Sequence, residues 1–359
     1  MGNVCLKIGP LCRLSQDAPL WLPHAINAWA REQHQVSFFI EISASASFAF
    51  LMPAQLEKNV RIEMVKSHNR HLPGWKRWLG FGRKSQSQFV ATIGFSTFGP
   101  ASVELLSIYF DQSKKSYLTN PRRFSANRPL LVTYKWQKEQ LLYKGCPQSI
   151  IHMSGLYVPT AEGQPSFAAQ ERWKQENTGG QEYLLCLVEA FGLLDFVALL
   201  TAFGQLKKWQ RTGMKMVILG SLKKEATIYE RLASYRHRED VVLLPLRSAT
   251  QIMEWATHAY AVFAAPGFVN GSLAVRSVQL GVPVVSEANP VLDELFQRNY
   301  FKLAAWNAEH LSQTMLMVFK DEALRASTTA AAKAACWPLR ENALPEALNN
   351  AYLQWAKPN

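Results

Sequence analysis

The stretch from His68 to Lys84 interleaves Trp75, Trp78, Leu79 and Phe81 with Arg70, Lys76, Arg77, Arg83 and Lys84. Tryptophan and phenylalanine seat at a headgroup boundary while lysine and arginine meet anionic lipid, at about 1 kcal/mol per basic residue near the surface. The pattern fits a peripheral membrane patch, and it fits equally an exposed cationic loop with two half-buried tryptophans. Single-stranded nucleic acid, held by aromatic stacking and basic side chains, is a third and weaker reading, because no RRM, KH or OB pattern accompanies the stretch. A second basic cluster, Lys114, Lys115, Arg122, Arg123 and Arg128, would extend the same surface.

Both clusters belong to a wider asymmetry. The net charge is +12, yet the first 155 residues carry 19 Lys/Arg against 8 Asp/Glu, and the remainder 20 against 19. One half is basic and the other neutral, which points to an anionic partner for the first half. The five cysteines (Cys5, Cys12, Cys146, Cys186, Cys336) are odd in number, scattered and never in a C-x-x-C pair. Neither a disulfide framework nor a zinc site is expected, no metal is called for, and a reducing, cytoplasmic compartment fits. His24, His34, His68 and His71 each read as surface or core histidines. The start, Met-Gly-Asn-Val-Cys, lacks the charged and apolar regions of a signal peptide, and Leu6 stands where a myristoylation motif wants Ser or Thr. Two apolar stretches of span-like length are broken by polar groups: 37–52 by Glu41 and several serines, 183–206 by Glu189 and Asp195. They read as buried strand and helix.

The elements that must position such residues alternate short β-branched runs with amphipathic segments, the pattern of βα units on a parallel sheet. At 48% hydrophobic and 18% charged over 359 residues, the chain has enough apolar content for two folded domains and is not disordered. In the second half, strands are expected at 183–188, 214–219 (closed by Gly220), 241–244, 259–264 and 282–285, with helices over 195–209, 225–235, 249–257 and a short one ending before Gly281. A glycine-bearing loop, Pro266 to Ser272, precedes that last helix. In the first half, strands are expected at 4–8, 35–42, 60–65, 88–93 and 130–134, and helices over 20–31 and 101–110. The polar segment bearing Pro165, Thr178, Gly179 and Gly180 suggests a linker over 158–180, between domains at 1–157 and 181–340, with a helical tail at 341–359. The fold class is α/β, with doubly wound domains.

Several segments resemble GT-B glycosyltransferases of the retaining family 4 type. Leu199-Leu200-Thr201-Ala202-Phe203 with Met214–Gly220 is similar to that family's first helix and second strand of the donor domain. The segment 130–158, including Val132-Thr133-Tyr134-Lys135-Trp136-Gln137-Lys138-Glu139, is similar to the strand and helix closing its acceptor domain. Ala264 to Val285, ending Gly281-Val282-Pro283-Val284, resembles the loop, helix and strand that hold donor sugar and nucleotide. The likeness covers about residues 130–300 by motif and the first 130 by general pattern.

The resemblance implies two Rossmann-like domains facing a cleft and a nucleotide-sugar as substrate rather than a cofactor. It implies a hexosyltransferase that passes the sugar to a glycan or lipid-linked acceptor, as in polysaccharide biosynthesis at the inner membrane face. The donor diphosphate would rest on helix N-termini and backbone N–H groups, a role that falls to Gly267, Asn270, Gly271 and Ser272, with Gly220 and Arg276 nearby. The loop is equally readable as a strand-to-helix turn that needs glycine. On the acceptor side, Gly9 with Arg13 and Ser15 would make acceptor or phosphate contacts.

Departures from the family are as informative. Its donor helix carries two glutamates eight positions apart; here those positions hold Phe268 and Arg276. Its Arg and Lys after the first donor-domain strand fall near Glu189 and on Leu194. A carboxylate there repels a diphosphate, although Arg276 could reach a phosphate bidentately. The competing expectation is a catalytically inactive GT-B scaffold that binds a glycan, a nucleotide or a partner enzyme, and a nucleotide-sugar epimerase of the same fold is a third.

Overall fold

The structure, a computed structural model, describes residues 2–8, 22–33, 36–43, 53, 55–65, 89–98, 103–109, 130–143, 145–153, 155–156, 158, 165–222, 225–245, 248–266, 270–336 and 345–350. It divides into two compact units, Met1–Tyr157 with Leu339–Asn359, and Val158–Pro338.

The first unit is built on a seven-stranded sheet whose strands are Gly2–Ile8 (β1), Val36–Ser43 (β2), Val60–Val65 (β3), Phe89–Phe98 (β4), Val103–Tyr109 (β5), Leu130–Val132 (β6) and Ile151–Met153 (β7), in the order β3-β2-β1-β4-β5-β6-β7. β1 to β4 run parallel, and β5 is antiparallel to both of its neighbours. Here the structure corrects the sequence: of residues 101–110, expected as a helix, Val103–Tyr109 form the strand β5. The apolar residues of Val103-Glu104-Leu105-Leu106-Ser107-Ile108-Tyr109 fit a helical or a strand period, and the segment pairs antiparallel with β4, Phe98 opposite Val103. The helix Leu22–Glu32 (α1) buries Ala25, Ile26, Trp29 and Ala30. Trp29 Nε1 and Gln33 Nε2 both donate to Asn349 Oδ1, at 3.2 and 3.1 Å, tying the helical stretch 345–350 to this unit. The helix Lys135–Tyr143 (α2) starts where buried Gln137 accepts from the backbone N–H of Thr133 and Tyr134. It packs Leu141 with Val132, Cys146, Ile150 and Ile151.

In the second unit the strands Tyr183–Phe191 (β8), Lys215–Leu222 (β9), Val241–Pro245 (β10), Ala261–Ala264 (β11), Val284–Glu287 (β12) and Phe301–Leu303 (β13) form an all-parallel sheet in the order β10-β9-β8-β11-β12-β13. Parallel strands covered on both faces read as continuous apolar runs, and Leu184 to Val188 are all fully buried. The helices are Phe167–Thr178 (α3), Leu193–Gln210 (α4), Glu225–Ala233 (α5), Ala249–Thr257 (α6), Gly271–Gln279 (α7), Pro290–Phe296 (α8), Ala308–Lys320 (α9) and Glu322–Ala335 (α10). α4 and α9 cover one face, where Phe196, Leu199, Phe203, Leu311 and Met315 meet Leu184, Cys186 and Phe263. Burial pushes the Cys186 thiol well above its usual range, so it stays a neutral, packed group. Lys207, near the end of α4, is buried: its ammonium donates to the carbonyls of Thr212 and Met214 and pairs with Asp240 at 2.9 Å.

Most of the 158–180 stretch is α3, which clusters with the second unit. Ser166 caps its start by accepting from Ala169 N, and Gly179 ends it in the left-handed region. Trp173 stacks on His258 at 4.4 Å and packs edge-on to Trp255.

Candidate functional site

In a doubly wound parallel sheet a ligand binds beyond the carboxyl ends of the strands, where strand order reverses. In the second unit that switch point lies between β8 and β11. Their register is fixed by Leu187 opposite Ala264 and by Ala265 N donating to Leu187 O at 3.0 Å. The chain leaving β8 enters α4, and the chain leaving β11 enters α7, so two helix N-termini flank the switch point.

α7 starts at Asn270, which is extended and buried and accepts from Leu273 N at 2.8 Å through its side chain. Gly271 and Ser272 follow, both buried in the first turn. The helix ends at Leu280, where Gly281 takes φ +80° and Val282 N returns to Ser277 O at 2.8 Å; only glycine enters that conformation without strain. Arg276 lies half-buried on the same helix. Asn270, Leu273 and Ala274 line a cavity of about 10 Å³ with Leu187, Ala264, Val284 and Leu292, about the space of a single water. The first turn of α7 is therefore packed tightly onto β11 and β12.

The other N-terminus is built differently. Asp195, in the first turn of α4, accepts from Gly192 N at 3.2 Å, so the helix carries its own carboxylate. Leu194 beside it is 83% exposed. Gly220 is buried on β9 opposite Val188, and a Cβ there would stand 1.9 Å from the Val188 carbonyl oxygen. Its glycine identity is thus demanded by strand packing. Glu189 lies within β8. Gly9, Arg13, Ser15, Gly267, Phe268 and the patch residues Trp75, Lys76, Arg77, Trp78, Arg83 and Lys84 lie outside the described residues.

The sequence reading passed over the connection between β12 and α8. Glu287, the last residue of β12, accepts from Trp306 N at 2.6 Å. Asn289 caps α8 by accepting from Val291 N, and its own N–H donates to the Tyr300 hydroxyl. That hydroxyl donates to Asp293, which also pairs with Lys302 at 2.7 Å. Burial alone would raise the Asp293 carboxyl, but the bonds from Lys302 and Tyr300 outweigh it and hold the group below its usual value. Burial pushes the Tyr300 phenol up to about 12. The sequence shows only an acid at the end of an apolar strand, Val284-Val285-Ser286-Glu287, and nothing in it points to Trp306 N. Among the described residues, no three His, Cys, Asp or Glu gather as they would around a metal ion, and no helix is long and apolar enough to cross a membrane.

No protein-family model matches this sequence, and no curated protein matches it significantly. Solved structures do. WaaG, a glycosyltransferase involved in lipopolysaccharide biosynthesis, matches at TM-score 0.63 and 15% identity, over 98% of this chain and 99% of its own. Anabaena HepE, solved in complex with UDP-glucose, matches at 0.61 and 11%, over 99% and 100%. A glycosyltransferase from Rickettsia africae matches at 0.58 and 12%, over the whole of both chains. The fold is mixed α/β with a parallel six-stranded sheet, as in GT-B glycosyltransferases.

Proposed function

We propose that the protein binds a nucleotide-sugar at the switch point of its second unit and transfers the sugar to a glycan or lipid-linked acceptor. The observation that carries this reading is the N-terminus of α7, which brings Asn270, Gly271 and Ser272 to the carboxyl end of β11. A helix N-terminus offers positive potential and N–H donors to an anion. In glycosyl transfer that potential acts where it matters most, on the diphosphate as it gains charge in departing. Arg276, on the same helix, would add a guanidinium for a phosphate. The basic first half would bring the acceptor side to an anionic membrane surface on the cytoplasmic face, a reading its aromatic and basic residues favour over nucleic acid because no RRM, KH or OB pattern accompanies them. Liposome co-sedimentation tests the membrane part: the Trp75→Ala, Trp78→Ala double variant should release vesicles that the parent protein binds.

One observation favours a second reading, a GT-B scaffold that binds without turning over. The resemblance calls for cations near Glu189 and on Leu194, where this chain carries a carboxylate and an apolar side chain, and Asp195 adds a second carboxylate to the first turn of α4. Thermal unfolding with a panel of nucleoside diphosphates and their sugars tests both readings. A ligand at about 100 times its dissociation constant stabilises the fold by roughly 2.7 kcal/mol. A rise in melting temperature selective for one base, with nucleotide released when an acceptor is added, is the expected result for the transferase. Binding without release supports the scaffold, and no shift with any nucleotide contradicts a donor site.

A further inference from the structure

A nucleotide-sugar presents vicinal hydroxyls on its ribose and on the transferred sugar, and a carboxylate that accepts two O–H bonds is the group best suited to hold such a pair. Positions 268 and 276, on and just ahead of the donor helix, hold Phe and Arg, so that carboxylate must come from elsewhere. Two acids along this edge of the second unit's sheet are committed. Asp195 is taken by Gly192 N, and Asp293 by Lys302 and Tyr300.

Glu287 is not so committed. Ser286 stands opposite Ala264 in the β11–β12 pairing, which puts Glu287 one residue further toward the carboxyl edge, level with the chain that runs from Ala265 into the cap of α7. Its Oε1 is fixed by Trp306 N at 2.6 Å, while Oε2 has no partner among the described residues. The side chain is half-buried, neither sealed in the core nor loose in solvent. One oxygen anchored to backbone and one left open make a preoriented acceptor. We propose that Glu287 holds a vicinal diol of the donor nucleotide-sugar, either the ribose pair or the pair on the transferred sugar. This inference rests on the donor reading above.

The test is calorimetric titration of the full chain and of Glu287→Gln. The ligands are whichever of UDP-glucose, GDP-mannose and ADP-glucose the parent binds, its nucleoside diphosphate, and the 2′-deoxy form of that diphosphate. Glutamine keeps an oxygen for Trp306 N, so the melting temperature of the free protein should stay unchanged. The expected result is binding of the nucleotide-sugar weakened about ten-fold or more, with the loss vanishing on the ligand that lacks the gripped hydroxyls. Ribose recognition predicts equal binding of the 2′-deoxy diphosphate by both proteins; recognition of the transferred sugar predicts equal binding of the unmodified diphosphate. Nucleotide-sugar affinity within two-fold of the parent, or the same loss on every ligand, overturns the assignment and leaves the donor site standing. A parent protein that binds none of the three sugars sinks the donor reading and this assignment together.

Discussion

Two helices begin at the same edge of the same sheet, yet they present opposite chemistry to whatever sits there. α4 opens on Gly192 and supplies its own anion, Asp195, so its dipole is partly neutralised before any ligand arrives. α7 opens on Asn270, Gly271 and Ser272, uncharged residues that cap the helix without cancelling its field. The difference teaches that a shared fold does not fix a shared site. On the donor reading proposed above, the anion would sit beside β11, at the helix that also carries Arg276, and not beside β8.

The largest test strikes the support that both helices share. Gly220→Ala drives a methyl group into the Val188 carbonyl and should cost about 3 kcal/mol, read as a lower urea midpoint for the second unit; an unchanged midpoint would remove the close β8–β9 contact from the account. Next, Asn270→Ala should lose about 1 kcal/mol through the missing cap and abolish the nucleotide-induced rise in melting temperature. If the rise survives intact, α7 is not the anion's seat.

Asp195→Asn sharpens the contrast from the other side. It should cost roughly 0.5 kcal/mol of helix stability while tightening nucleoside diphosphate binding a few-fold at low salt. Weaker binding by this variant would show that the carboxylate itself contacts the ligand. The smallest effect concerns α8. The folded-state carboxyl of Asp293 is depressed below its usual 3.8, so the stability it contributes is fully present above that pH and is lost as pH falls through the folded value. Asp293 and Lys302 are each about a third exposed, so solvent screening limits the contribution to under about 1 kcal/mol. Asp293→Asn should remove that part of the acid-side slope, seen as a flatter melting temperature as pH falls below 3.8.

Local signals made much of the second unit legible. The strand 60–65 in the first unit and the helix 249–257 in the second form with the expected bounds, because β-branched runs and a Ser248 cap speak without distant help. β5 was not legible as a strand. Its apolar residues satisfy either period, and only pairing with β4, formed from residues elsewhere in the chain, decides between them. α3 was hidden for a subtler reason: Pro165, Gly179 and Gly180, which composition reads as linker, are the punctuation that starts and stops a helix. At the site, the loop 266–272 was visible as a glycine-bearing turn, whereas Glu287 was not. Its role depends on Trp306 N, a backbone group nineteen residues away that no spacing rule could supply.

The central claim is that a nucleotide-sugar seats on the first turn of α7. Amide hydrogen exchange with and without saturating UDP-glucose reads it most directly, over peptides covering 264–276 and 189–200. The account predicts slowed exchange at Gly271 to Ala274 and little change at the start of α4. Protection confined to α4, or saturating ligand with no protection at α7, would contradict it.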